Sequence, residues 1–329
     1  MARETIFLTR QDIAQQVDIV AGIDAIEKAM GVYEKGGDYL PPKAIFEIPA
    51  GDHGTAYAAC ITGSTRAADL LSMKVGQERT RNPDRGLPTT NSWISAFDPA
   101  TGELLMICDG TLPTMYRTAA AAAVSTRQLA RDDATSLAVI GAGQLGGACI
   151  RAVSSVRPFD KIFLFDLVEE AAIRTGETVE GDIPILIADA ETACTLADVI
   201  VTATNSREPI VMADWVRPGT HLCCMGTDLF EKIECEMSLL PECRKFADVI
   251  EHALQRGEVS QAVKAGILGE ECYAGSLGQV INGDVTGREN EEQITLYDGV
   301  GIGIQDTTIA RTIYDQAVAG NLGTRLAFS

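Results

Sequence analysis

SLAVIGAGQLGGACIRAVSSVRPFDKIFLFD, residues 136–166, decides the fold. An apolar run from Leu137 to Ile140 leads into Gly141, Gly143 and Gly146, then a segment of helical periodicity, then a second apolar run from Ile162 to Phe165 that ends in Asp166. Strand, tight turn, helix and strand in that order make a βαβ unit. Each glycine has its own duty: Gly141 permits the turn, Gly143 lets a ligand approach the backbone, and Gly146 lets helix and strand pack closely. The helix that starts there points unpaired N–H groups and the positive end of its dipole at an anion. A dinucleotide pyrophosphate is the anion this arrangement suits. Asp166, about twenty residues past the second glycine, stands where an acid takes the adenosine ribose hydroxyls and repels a 2′-phosphate. The expected cofactor is therefore NAD(H), with NADH preferred over NADPH. A glycine pattern alone is weak evidence, and its place between strand and helix gives it weight.

Beyond this unit, strands and helices alternate to about residue 250: Ile183–Leu186, a helix over Glu191–Leu196, then Val199–Ala203, Thr220–Met225 and Val249–Ile250. Alternation of this kind predicts an α/β fold with a doubly wound parallel sheet. Before it, LPTMYRTAAAAAVSTRQLA (112–130) reads as a helix with a small-residue body, and a domain boundary falls near its start. The first hundred residues have another rhythm. A strand over Thr5–Leu8 precedes a helix over Arg10–Val17 that Thr9 can cap. Ile19, Ile23, Ile26 and Met30 recur at helical spacing before Gly36-Gly37. Strand-like runs follow at Ala44–Ile48, Gly54–Ile61 and Leu70–Val75, then 91–97 and 103–108, joined by the turn DPATGE. These predict an α+β layer with a largely antiparallel sheet. At the other end, Ser260–Ala265 reads as helical, 275–290 as a Gly- and acid-rich link, and Gln305–Val318 as a last helix that packs back onto the first domain.

The chain carries 46 acids against 27 bases, a formal net charge of −19, which disfavours a nucleic-acid backbone or an anionic membrane as partner. Nine cysteines are scattered among apolar neighbours with no CxxC pair, as free thiols in a reducing compartment would be. MARETIFLTRQDIAQQ has no long apolar core, and the apolar stretch Ala119–Val124 is far too short to span a bilayer. The expected location is the cytoplasm.

Nicotinamide chemistry also needs cations to grip a substrate and one acid or base beside the reacting carbon. Three cations stand out: Lys43 after a double proline, Lys74 at the end of the apolar run LLSMKVG, and Arg117 on the alanine-rich helix. Snorkelling to the surface is an equal reading for Lys74, whereas Arg117 in its small-residue setting points to function. Asp228 follows a strand and a glycine in CCMGTD, where it could reach the crevice or cap the next helix. Thr202–Asn205 follows another strand and would lie against the cofactor, though Thr and Asn are also ordinary turn residues. His53, His221 and His252 lack metal-ligand spacing, so no metal site is expected.

KVGQERTRNPDRGLPTTNSWISAFDPATGELLMICDGTLPTMYRTAAAAAVS, VIGAGQLGG, MGTD and DGVGIGIQD together resemble the ornithine cyclodeaminase/µ-crystallin family, from about Pro41 to Asp306. The resemblance implies a substrate and dimerisation domain over residues 1–115, a Rossmann-type NAD-binding domain over 116–298, and a segment, 299–329, that returns to the first domain. It implies homodimers. It gives Lys74 and Arg117 the substrate carboxylate, with Lys43 where the family usually has Arg, and makes Asp228, with Lys74, catalytic. Thr89, Arg117, Gln144, Leu145, Asp166, Met225, Gly226, Thr227 and Lys232 fall on cofactor-contacting positions. Gly299 and Val300 fall on the loop closing over the nicotinamide, Val300 facing the substrate, and Thr204 or Asn205 on a further cofactor contact.

One departure bears on the substrate. Ornithine cyclodeaminases place a Glu on the strand before the lysine, whereas this chain reads AACITGS there, with Cys60 and Ile61 and no acid. Arg79, Arg81 and Arg85 lie in the loop QERTRNPDR near the cleft. The expected activity is therefore NADH-dependent reduction of a small 2-imino acid to an L-amino acid: iminosuccinate to aspartate first, an alanine dehydrogenase-like reaction next. An ornithine cyclodeaminase and a µ-crystallin-like nucleotide and small-ligand binder are the alternatives.

Overall fold

The computed structural model describes residues 4–15, 20–49, 56–79, 81–179, 181–227 and 232–327. It divides into two units, Met1–Arg117 with Ile302–Ser329, and Thr118–Gly301.

The first unit begins with β1 (Glu4–Leu8) and α1 (Arg10–Ala14). Thr9 starts α1 by a capping box: its side chain accepts from the Asp12 N–H, and the Asp12 carboxylate accepts from the Thr9 N–H. The helix stops at Ala14, short of Val17, which with Ile19 lies outside the described residues. In α2 (Ile23–Glu34) the buried face is Ile23, Ile26, Ala29 and Met30, the helical spacing read from the sequence. Five strands follow: β2 (Ala44–Ile48), β3 (Ala56–Thr65), β4 (Leu70–Arg79), β5 (Thr90–Phe97) and β6 (Leu104–Asp109). Gly54, expected at the start of β3, lies outside the described residues. The Asp109 carboxylate accepts from the Thr111 and Leu112 N–H groups and so starts α3 (Thr111–Leu129), within which the division between units falls.

The second unit alternates as read: β7 (Ser136–Ile140), α4 (Gln144–Ser154), β8 (Lys161–Phe165), α5 (Glu169–Thr178), β9 (Ile185–Ile187), α6 (Ala190–Leu196), β10 (Val199–Thr202) and β11 (His221–Cys224). Then come β12 (Cys243–Ala247), α7 (Ile250–Arg256), α8 (Ser260–Lys264), β13 (Tyr273–Ser276), α9 (Leu277–Asn282) and β14 (Ile294–Asp298). All eight strands pair in parallel, in the order β13-β12-β14-β11-β10-β7-β8-β9. The chain winds outward from β7 through β8 to β9, then returns to lay β10 on the other side of β7. That reversal is the topological switch point, where open α/β sheets form their ligand crevice. Two expectations are corrected. Val249–Ile250 is the entry to α7, and the strand is β12 just before it; 275–290 is not all link, since it holds the end of β13 and α9.

The chain then re-enters the first unit with α10 (Gly303–Ala319) and β15 (Thr324–Ala327). The seven-stranded sheet has the order β15-β1-β6-β5-β4-β3-β2, antiparallel except for β1 against β6. Against β3, α10 packs backbone to backbone: a Cβ on Gly63 would run into the Gly303 peptide group, so only glycine fits. Thr307 Oγ1 donates to the Gly63 carbonyl (2.9 Å) and lies 2.8 Å from Ser72 Oγ of β4. The first turn of α10 is thereby fixed on the sheet.

Candidate functional site

In the first unit, the fixed turn of α10 brings Asp306 to Lys74, which lies on β4 opposite Ile61 of β3 and Ile94 of β5. Lys74 Nζ donates to Asp306 Oδ1 at 2.8 Å and to Thr114 Oγ1 at 3.1 Å. Arg117 Nε donates to the same Asp306 oxygen at 3.1 Å, and Arg117 Nη1 to Gln305 Oε1 at 3.4 Å. Lys74 is 4 % exposed, Arg117 7 % and Asp306 1 %. Burial pushes the Asp306 carboxyl up, but Lys74, Arg117 and Lys43 outweigh it and hold it below the ordinary value of 3.8. Thus two of the cations singled out in the sequence meet around an acid that was not singled out, and the charge of Lys43 is felt there as well. Asp306 Oδ2 and Gln305 Nε2 are buried with no hydrogen-bond partner among the described residues, one acceptor and one donor left over. A site in which two cations converge on one carboxylate oxygen is chemically a carboxylate clamp.

Two of the loop cations have partners of their own. Arg79 donates to the Tyr57 and Glu78 carbonyls and to Gln77 Oε1, and Arg81 forms an exposed pair with Asp84. Thr89 is half-buried, its carbonyl accepting from the Arg79 N–H.

In the second unit the glycine turn has the shape a dinucleotide requires. Gly141 has φ +105° and donates its N–H to the Phe165 carbonyl at 2.8 Å. No heavy atom lies within 4 Å of where a Gly143 Cβ would stand, so this face of the turn is open. A Cβ on Gly146 would run into the Gly141 carbonyl. Helix α4 starts at Gln144 and Leu145, directly after the extended Gly143, with no side chain capping it. Asp166 lies against the same turn, Oδ2 accepting from the Ala142 N–H (2.8 Å) and Oδ1 from the Val168 N–H (2.9 Å). These residues fit NAD(H): the open glycine and helix N-terminus would hold the pyrophosphate, and Asp166 would face the ribose.

The ends of β10, β11 and β14 bring the remaining candidates near one another. Lys232 Nζ donates to Asn205 Oδ1 at 3.0 Å, so these two cofactor candidates pair with each other. Met225 lies over Gly299, where a Cβ would meet its sulfur. Thr204 and Gly226 both donate to Glu234, which the sequence reading passed over. Thr227 is fully buried, and Val300, 1 % exposed, packs on Ala247 and Ala253. Asp228, the candidate acid/base, lies outside the described residues.

His221 is fully buried with Nδ1 3.0 Å from Thr295 Oγ1; burial pushes its pKa down to about 3 and keeps it neutral. Among the described residues no group of three or more His, Cys, Asp or Glu could hold a metal, and no helix is long and apolar enough to cross a membrane. The cysteines are free thiols.

The model of the ornithine cyclodeaminase/mu-crystallin family matches residues 3–321. The chain belongs to that family. Among its relatives in the family is iminosuccinate reductase of Paracoccus denitrificans, 34% identical over 311 residues, 94% of this chain and 96% of the relative. An archaeal alanine dehydrogenase, solved as a dimer with bound NAD, superposes with a TM-score of 0.93 at 31% identity, over 99% of this chain and 100% of that one. The Δ1-pyrroline-2-carboxylate reductase of Thermococcus litoralis, solved with NADH and L-proline, gives a TM-score of 0.92 at 28% identity, over 98% and 100%. The family and the α/β architecture with its Rossmann-type parallel sheet are therefore as the sequence implied.

Proposed function

We propose that this protein is an NAD(H)-dependent oxidoreductase that reduces a small 2-imino acid to the corresponding L-amino acid. The observation that carries the reading is the convergence of Lys74 and Arg117 on one carboxylate oxygen, with Lys43 close enough to act on the same charge. That the same two cations pair with the protein's own Asp306 carboxylate supports a carboxylate as their ligand. Relatives named for imine reduction and for amino-acid dehydrogenation support the choice of reaction.

In this reading Lys74 and Arg117 hold the substrate carboxylate and so fix the orientation of C2, with Lys43 adding charge without a guanidinium fork. Bound NADH supplies the hydride. Asp228 gives a proton on the nitrogen side and takes one back in the reverse direction. Gly141, Gly143, Gly146, Gln144 and Leu145 hold the pyrophosphate and Asp166 the ribose. Thr89, Thr204, Asn205, Met225, Gly226, Thr227, Lys232 and Gly299 complete the cofactor contacts, and Val300 the substrate pocket. The sheet neighbours of Lys74 are Ile61 and Ile94, so β3 and β5 offer no acid beside it for the second amine of ornithine.

Three cations against Asp306 leave two positive charges, which suit the two carboxylates of iminosuccinate; alanine formation is the next candidate. Arg79 and Arg81 are engaged elsewhere, so this ranking rests on Lys43.

The test is NADH oxidation against a panel of 2-oxo acids with ammonium. Oxaloacetate is expected to give the fastest turnover, with pyruvate second and NADPH a poor donor, and Asp228→Asn is expected to lose turnover while still binding NADH. Ornithine-dependent ammonia release without net change in NADH would overturn the reductase reading. Equal use of NADPH would remove Asp166 from the ribose.

A further inference from the structure

We propose that Glu234 is a positioning residue for cofactor binding: its buried carboxylate ties the loop after β10 to the loop after β11. The proposal rests on the NAD(H) reading above.

Glu234 is fully buried, and among the described residues its carboxylate is met by hydroxyl and backbone N–H donors. Its two oxygens receive donors from two neighbouring strand ends. Oε1 accepts from the Thr204 N–H (2.7 Å) and Thr204 Oγ1 (2.8 Å), Oε2 from Thr202 Oγ1 (2.6 Å) and the Gly226 N–H (3.0 Å). A carboxylate has about four acceptor sites, so its capacity is used in full. Gly226 is glycine for want of room, since a Cβ there would stand 2.7 Å from Glu234 Cδ. The loops touched, at Thr204 and Gly226, follow two adjacent parallel strands beside the switch point, and both residues are among the proposed cofactor contacts.

Glu234 is itself fixed from behind. Its backbone N–H and that of Cys235 donate to the Glu258 carboxylate (3.0 and 2.6 Å). The Glu258 and Val259 N–H groups donate to Asp298 at the end of β14 (3.0 and 3.2 Å). A row of carboxylate-to-amide links thus runs across the ends of β10, β11 and β14. Burial raises both carboxyls and the charge of Glu234 pushes Glu258 further up, so of this pair Glu258 holds the proton and Glu234 remains the acceptor.

Glutamine cannot replace this group. Hydroxyls can rotate, but an amide NH2 in place of either oxygen leaves the N–H of Thr204 or of Gly226 without an acceptor. Glu234→Gln should raise the NADH dissociation constant about tenfold, read by fluorescence titration of the purified full chain. Thr202→Val, which removes one donor and keeps the strand, should raise it about threefold. Hydrogen exchange at the 202–206 and 224–227 peptides should quicken in both. Phe246→Leu, a core change on β12, serves as the control: it should lower the melting temperature without changing NADH affinity. Wild-type affinity in both Glu234→Gln and Thr202→Val would overturn the proposal, as would losses that only follow melting temperature across all three variants. If the wild-type chain itself binds no NADH, the cofactor reading fails and this proposal falls with it.

Discussion

Asp306 lets a lysine and an arginine be buried side by side, because neither could leave water without an opposite charge. Asp306→Asn keeps the size and removes the charge. Breaking a buried pair from one side typically costs about 3 to 5 kcal/mol, and a loss of that order is expected in urea denaturation at neutral pH. The pH dependence has a definite sign. The folded-state pKa lies below 3.8, so the carboxylate's contribution is complete above about pH 4 and is lost as pH falls through the depressed value. The gap between wild type and variant should therefore narrow below pH 4; a gap that stays constant would mean the charge is not what stabilises. The cations of this cluster were legible in the sequence, because Lys74 and Arg117 sit among apolar or small neighbours. Asp306 was not. An acid in the first turn of a helix reads as a complement to the helix dipole, and its partners lie 232 and 189 residues away along the chain. The one local hint was the run DGVGIGIQD, whose glycines allow the helix to approach the sheet backbone.

Among elements, the βαβ unit could be read because all its signals are local: two apolar runs, a glycine turn and a helix within thirty-one residues. β14 could not be read, although it lies inside the parallel sheet between β11 and β12. ITLYD is only five residues long, with a Thr and an Asp among Ile, Leu and Tyr, and it stands next to a glycine-rich segment that reads as a helix entry. Only its pairing with strands far away in sequence makes it a strand. Its last residue sets a pH dependence opposite to that of Asp306. Asp298 is fully buried and accepts from Tyr273 Oη at 2.6 Å, and burial pushes it up to about 7. As pH rises from about 4, the unfolded chain gives up this proton while the folded chain keeps it, so stability falls until about pH 7 and then levels. Asp298→Asn cannot titrate and should lack that fall, on the order of 4 kcal/mol at most. Urea midpoints between pH 4 and 8 measure it, a constant offset from the amide leaving the slope unaffected. Parallel slopes for wild type and variant would place the raised acid elsewhere in the row.

At the scale of the whole molecule, the described helices of the first unit leave apolar residues of its sheet exposed. α10 packs on β3, β4 and α2, while Met73 and Trp93 on the other face are 44 % and 42 % exposed. Val75 lies directly across from Trp93, and Leu71 from Phe97, so the exposed residues form one apolar surface rather than scattered positions. We propose that a second copy of this chain covers it, since an apolar surface of this size calls for burial. Two chains of net charge −19 repel each other, so apolar burial must provide the association and salt should strengthen it by screening. Trp93→Glu places a charge where burial is required and adds to the repulsion. Sedimentation velocity should find the wild type dimeric and the variant largely monomeric, with the difference persisting at high salt because the buried charge, not the long-range field, is what opposes closure. A Trp93→Glu chain that remains dimeric would move the interface to another face of the molecule.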